Sequence, residues 1–179
     1  MELGKEDAVA LSRGGFALAF VVGELEDGAA FIDHSLILNP NLAAGWLLRG
    51  WINNNLGGEP EVTIEHATRA MRLSPLDPFT FLANSVIAGG HFNAGRYDEA
   101  CSWADTGLRQ QPNWAGAARM AAASNALAGR LGQAHKAMAR LRQIDPTLRV
   151  SDMKHLFLCR RPEDLARYEE GLRKAGLPE

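Results

Sequence analysis

Hydrophobic positions in this chain nowhere alternate with polar ones at a period of two over a useful length. Alanine and leucine dominate while valine and isoleucine are sparse, which favours helix over strand almost throughout. The pattern predicts paired helices over residues 5–22 with 26–38, 42–56 with 60–73, 78–94 with 97–110, and 114–128 with 131–144. The breaks between them have physical causes. Gly57-Gly58, Gly95 and Gly129 fall just past helix ends, where a left-handed residue is wanted. Asp98-Glu99 fall in a first turn, as the helix dipole prefers.

Above the helices lies a longer period. Pro40, Pro75, Pro112 and Pro146 each close a second helix, at intervals of 75−40=35, 112−75=37 and 146−112=34. Proline pushes the residue before it out of the helical region, so each marks a stop. Twelve residues before each stands a small residue, Gly28, Thr63, Ala100 and Ala134, where two helices can cross closely. A repeat of about 34 residues with these marks in fixed phase signals stacked helical hairpins. The expected fold is all-α: a right-handed superhelical solenoid of about four antiparallel hairpins over residues 1–147, with C-terminal capping helices over 148–179. In that tail Ser151 is expected to cap a short helix through Leu158, and Pro162-Glu163-Asp164 to open a last one. Leu165, Tyr168 and Leu172 form its apolar stripe, which must bury against the preceding pair.

The 37-residue interval holds extra residues, expected to lengthen the helix that ends before Gly95. Gly89-Gly90 lies inside that helix, at a cost of about 1 kcal/mol per glycine relative to alanine. A tolerated insertion is the simpler reading; the other is a kink that widens a groove beside His91 and Phe92. At the front, Phe16, Leu18, Phe20 and Val21 have nothing upstream to cover them. A bare apolar face predicts self-association or a missing upstream repeat, and the second is the expectation.

The phrase Gly95-Arg96-Tyr97-Asp98-Glu99-Ala100, followed by Ala104 and Pro112, resembles the tetratricopeptide repeat (TPR). Trp46 and Gly50 match its first-helix aromatic and small positions, and Gly129, Ala134 and Ala122 match in the last repeat. Thr63, Gly28 and Gly107 depart from the usual alanines. Arg49 and Asn53 stand where larger apolar residues are usual. The phrases Asn39-Pro40-Asn41-Leu42-Ala43, Arg72-Leu73-Ser74-Pro75-Leu76-Asp77-Pro78 and Arg161-Pro162-Glu163-Asp164-Leu165-Ala166-Arg167-Tyr168, with the ending Gly176-Leu177-Pro178-Glu179, are similar to the C-terminal repeat region of bacterial class III adenylate/guanylate cyclase-like signalling proteins. That resemblance implies a catalytic domain upstream of this segment and a natural end near Glu179.

Composition narrows the function. With 46% hydrophobic residues a core can form, and a formal charge of −2 offers no basic stripe for nucleic acid. The apolar run Gly14 to Gly23 is too short to span a bilayer and follows Glu6 and Asp7 where a signal peptide wants basic residues. A cytoplasmic protein without membrane contact is the expectation, with Cys101 and Cys159 as free thiols. No two of His34, His66, His91, His135 and His155 stand four apart, so no metal or cofactor site is expected. No phosphate-cradling glycine motif and no Gly-x-Ser-x-Gly elbow occurs. The segment is expected not to be an enzyme.

What remains is a groove. In TPR arrays the first helix of each pair lines the concave side, which the resemblance carries onto Ala44, Leu47, Trp51 and Asn54, with Asn55 beside them. In the last pair it gives Gly116, Arg119, Ala123 and Ala126, and in the middle pair Phe79, Leu82, Val86, His91 and Asn93. Leu47, Trp51, Asn54, Asn55, His91 and Arg119 are the candidate binding residues: an apolar anchor with hydrogen-bonding neighbours for a protein or peptide partner. Against this stands the plain alternative that Trp51 packs between hairpins and the asparagines face water. Leu47 and Trp51 occupy positions where the chaperone-carboxylate clamp would need other residues, which disfavours chaperone docking. Two further functions fit the same fold: a sensory domain that closes on a small ligand or signalling peptide, and a homodimerisation module working through Phe16 and Phe20.

Overall fold

The structure, a computed structural model, describes residues 6–179. Helix α1 (Ala8–Ala17) runs into a π-helical turn (Leu18–Val22), followed by α2 (Leu25–Leu38), α3 (Ala43–Leu56), α4 (Pro60–Leu73), α5 (Thr80–Asn93), α6 (Tyr97–Gln110), α7 (Ala115–Leu127) and α8 (Leu131–Ile144). A 3-10 turn (Val150–Asp152), a short α9 (Met153–Leu156) and α10 (Pro162–Lys174) complete the chain. No strand occurs among the described residues. Each helix from α1 to α8 packs on the next, and the first helices of the pairs also touch one another: α1 on α3, α3 on α5, α5 on α7. Those four line a common inner face, and the architecture is an all-α helical solenoid.

The hairpins close by one repeated device. Gly57, Gly95, Gly129 and Gly176 sit at φ between 72° and 92°, where other residues are strained. The amide that follows each reaches back to a carbonyl in the last turn: Gly58 to Asn53 (2.9 Å), Arg96 to His91 (2.9 Å), Arg130 to Asn125 (2.8 Å) and Leu177 to Leu172 (3.0 Å). This pairing satisfies carbonyls that a helix end otherwise leaves open. The first pair differs. The 5–22 helix begins only at Ala8 (residue 5 lies outside the described residues), where the Asp7 carboxylate accepts from the Val9 and Ala10 amides at 2.8 and 3.1 Å. It widens into the π turn before Gly23.

Small residues set the helix crossings. Thr63, Ala100 and Ala134 are fully buried, and Gly28 is buried against Gly15. A Cβ on Gly15 would stand 2.7 Å from the Gly28 carbonyl oxygen, and one on Gly28 2.6 Å from that of Gly15. Gly89 and Gly90 serve the same end. Helix α5 runs unbroken through them; a Cβ on Gly89 would meet the Asn54 amide at 3.0 Å, and one on Gly90 would meet Ile64 at 2.8 Å. These glycines admit close neighbours and do not break the helix.

The extra residues of the long interval do not lengthen α5, contrary to the sequence expectation: α3 and α5 both have 14 residues. The surplus lies in the connection Ser74–Phe79, six residues against four in Asn39–Leu42 and in Gln111–Trp114. Pro78 and Asp77 hold it outside the helix, Asp77 accepting the Phe79 amide at 2.8 Å. The tail is also corrected in detail. Ser151 lies within the 3-10 turn, which is closed by the Asp152 carboxylate accepting from the Arg149 amide at 2.9 Å, and α9 ends at Leu156.

Helix α10 packs chiefly on α7, an inner-face helix. Tyr168 and Leu172 are buried, Tyr168 against the rings of Phe92 and Phe157 with centroids 5.5 and 4.9 Å apart. Gly171 brings the backbones together, since a Cβ there would lie 2.9 Å from the Ala123 carbonyl oxygen. Arg142 and Arg149 donate to the Gly176 and Glu179 carbonyls, and the Val150 amide donates to Pro178 at 2.8 Å.

The adjacent glycines of α1 provide a test. Gly14 has open space where a side chain would go, whereas Gly15 does not. Gly14→Ala is expected to raise unfolding free energy by about 0.5–1 kcal/mol, and Gly15→Ala to lower it by about 1–3 kcal/mol. Urea denaturation of the two variants measures both.

Candidate functional site

The inner face is partly filled by the chain itself. Tyr168 on α10 is fully buried facing Arg119, and burial pushes its phenol above the usual tyrosine range. Gly171 covers Ala123. Arg119 is therefore engaged by the tail. At the other end, Trp51 is half-buried, with the ring of Phe16 edge-on at 5.3 Å and that of Phe20 tilted at 5.9 Å. Its indole bridges the first two pairs.

The amides beside it are committed. Asn54 and Asn55 are buried; Asn93 Nδ2 donates to Asn54 Oδ1 at 3.1 Å, and Asn55 Nδ2 donates to the Trp51 carbonyl at 2.7 Å. His91 stands at the α5–α6 turn, where Arg96 Nε donates to its Nδ1 at 3.0 Å. The same position in the neighbouring pairs, four residues before the left-handed glycine, holds Asn53 and Asn125. Asn53 donates to the Glu59 carbonyl at 3.0 Å, and Arg130 Nε donates to Asn125 Oδ1 at 2.8 Å. Arg96 also pairs with Glu61 at 2.6 Å, and Arg130 with Asp98. His91 thus belongs to a polar bracket repeated at these turns, which Arg96 and Arg130 extend to the preceding hairpin.

Of the six candidates, Leu47 lines an open cleft. A cleft of about 290 Å³ lies along the first halves of α3 and α5, bounded by Phe16, Leu47, Met71, Phe79 and Leu82, with Arg13 and Asp77 among its polar lining residues. Phe79 is 59% exposed and Leu76, on the same connection, 95%. The enlarged connection thus carries an apolar rim to the cleft. Sequence reasoning named Leu47, Phe79 and Leu82 for the groove but missed Met71, which lies on a second helix. The signal available was the two-proline insertion, which alone of the connections bears an exposed phenylalanine and leucine.

The residues that line the cleft are mostly apolar. Among the described residues no group of three or more His, Cys, Asp or Glu side chains is placed to hold a metal ion. Cys101 and Cys159 are free thiols; burial, the largest influence, raises both above the ordinary value, Cys101 to about 11. No helix among the described residues is long and apolar enough to cross a membrane.

With this geometry the chain has the fold of tetratricopeptide-repeat proteins. Solved structures that share it include PilW, described as a widely conserved type IV pilus biogenesis factor (18% identity, 95% of this chain and 74% of that one, TM-score 0.74). MamA 41-end from Desulfovibrio magneticus RS-1 is similar over 96% of this chain and 95% of its own (18% identity, TM-score 0.65). YrrB, a TPR protein with an unusual peptide-binding site, is similar over 97% and 87% (19% identity, TM-score 0.61). No family model and no curated protein matches the sequence.

Two histidines make stability depend on pH. Burial is the main influence that lowers the pKa of His66 and of His91, and the cations Arg49 and Arg96 respectively add to it. Both imidazoles are therefore favoured neutral in the folded state. Their contribution is complete above the unfolded value of about 6.5 and drains away as pH falls from there through each lower folded value. Denaturation midpoints are expected to drop between pH 7 and pH 5. Combining His66→Gln with His91→Asn, the residue its equivalent positions carry, should flatten that drop; an unchanged slope would show that other groups cause it.

Proposed function

We propose that this chain is a non-catalytic protein-interaction scaffold whose inner-face cleft receives an extended apolar segment of a partner protein. The observation that carries this is the cleft itself: it is bounded by Phe16, Leu47, Met71, Phe79 and Leu82, while α10 covers the inner face at α7. Apolar pockets rimmed by a few polar groups are the usual form of a recognition site. The likeness in fold to YrrB, a protein described as having a peptide-binding site, supports the same reading. Trp51 then acts as the floor that holds Phe16 at the cleft, more than as a contact in its own right. Membership in a cyclase-like signalling protein rests on the sequence phrases quoted above alone.

Selection from a random-peptide display library, followed by calorimetry on the winners, tests the scaffold reading. Bound peptides are expected to carry at least two large apolar side chains. Leu47→Glu and Phe79→Ser should each weaken them about tenfold or more, a loss of about 1.4 kcal/mol. Phe79→Ser should leave stability within about 0.5 kcal/mol, because the side chain is mostly exposed. Peptides that bind both variants unchanged would place recognition elsewhere.

A second reading, self-association through the first pair, is favoured by one observation: Phe20, Val21 and Val22 stand exposed together on the π turn. It predicts a mass that rises with concentration and becomes constant in Val21→Asp. Sedimentation equilibrium decides, and a monomer at all concentrations ends this reading.

A further inference from the structure

The end of the chain is attached to the inner face in two different ways. Helix α10 is built in, through buried Tyr168 and Leu172 and the close contact of Gly171 with Ala123. Phe157 stacks on Tyr168, and from there Leu158–Arg161 runs back to the first and second hairpins and is held there by arginine. The Arg160 amide donates to the Asn55 carbonyl at 2.8 Å, and its guanidinium to the Gly23 carbonyl at 3.2 Å and to Glu26 at 3.1 Å. Arg161 reaches the Gly57 carbonyl at 3.4 Å, and on α10 Arg167 reaches the Asn93 carbonyl at 3.3 Å.

Those acceptors share a character. Gly23, Asn55, Gly57 and Asn93 lie at the C-terminal ends of the first helices of the first three pairs, the first of them closing the π turn after α1. Helix C-termini carry unpaired carbonyls and a partial negative charge, both of which favour cations. The inner face thus has an edge of three negative helix ends, each met by an arginine of the tail. Around Arg160 this attachment is polar and open to solvent. The Arg160 side chain is 49% exposed, and a hollow of about 420 Å³ remains between Val22–Leu25 and the stretch that includes Phe157–Arg160. Exposed ion pairs of this kind hold weakly.

We propose that Leu158–Arg161, beyond the Phe157 ring that stays stacked on Tyr168, is a releasable latch, a self-ligand occupying an arginine-reading edge that takes an arginine-bearing partner segment when the latch lifts. The edge lies at the opposite ends of α3 and α5 from the apolar cleft, so the inference does not depend on what that cleft binds.

Hydrogen exchange read residue by residue in the full chain tests it. In the double variant Arg160→Gln/Arg161→Gln, the Arg160 amide is expected to exchange at least roughly fivefold faster, while the amides around Leu172 keep their protection. A synthetic peptide of residues 157–167 should bind the double variant and not the native chain at the same concentration. If the double variant does not fold, native protein in 1 M salt, where the screening length is about 3 Å, should show the same selective release. Unchanged exchange at Arg160, or loss of protection in α10 together with it, would make the segment an integral part of one packed unit and overturn the latch. Failure of the peptide to bind a released edge would overturn the partner.

Discussion

The whole structure depends on helix backbones approaching one another where no side chain keeps them apart. Gly15 against Gly28, Gly50 against Thr63, Gly90 against Pro60 and Ile64, and Gly171 against Ala123 are the same contact made four times. An added Cβ at these glycines would fall between 2.6 and 3.2 Å from a backbone carbonyl oxygen, well inside ordinary contact. The last pairs achieve it with alanine, and Ala117, Ala118, Ala122, Ala123 and Ala134 are fully buried. A core this short in large side chains gains its stability from close packing over many small contacts. That explains why the chain spends so many glycines inside helices, where each costs propensity.

Function follows from what that packing leaves over. Because Gly171 lets α10 settle directly onto α7, the tail lies in the inner face and meets Arg119 and Phe92. The face is thereby divided. The C-terminal ends of α1, α3 and α5 receive arginines of the tail, and the first halves of α3 and α5 remain open as an apolar cleft. The six-residue connection Ser74–Phe79 belongs to the open side, where it carries Phe79 to the rim. On the proposed reading, a partner would be held at this surface by a few apolar anchors.

Much of this was legible in the sequence. Proline and glycine have local and nearly context-free effects on the backbone, so the eight paired helices and the left-handed glycines 57, 95 and 129 could be read directly. The small residues Gly28, Thr63, Ala100 and Ala134 were likewise visible as crossings. Side-chain direction was less so. Asn54, Asn55 and His91 occupy polar positions near a helix end, and whether such groups face solvent or bracket a turn is decided by a partner far along the chain, such as Asn93 for Asn54. The placement of the insertion turned on Asp77 and Pro78 competing with the start of α5, a balance that periodicity does not weigh. Nothing in spacing announced that Arg160 would reach Glu26, because the two stand 134 positions apart and meet through the curvature of the whole array.

The central claim is that the tail lies in the inner face and spans the array. A spin label on Asp27→Cys in α2 and another on Glu170→Cys in α10, in a chain carrying Cys101→Ala and Cys159→Ser, tests this directly by electron–electron distance measurement. The account predicts one narrow distance distribution in native conditions. A broad distribution, or one that matches a tail swinging free of the solenoid, would contradict it.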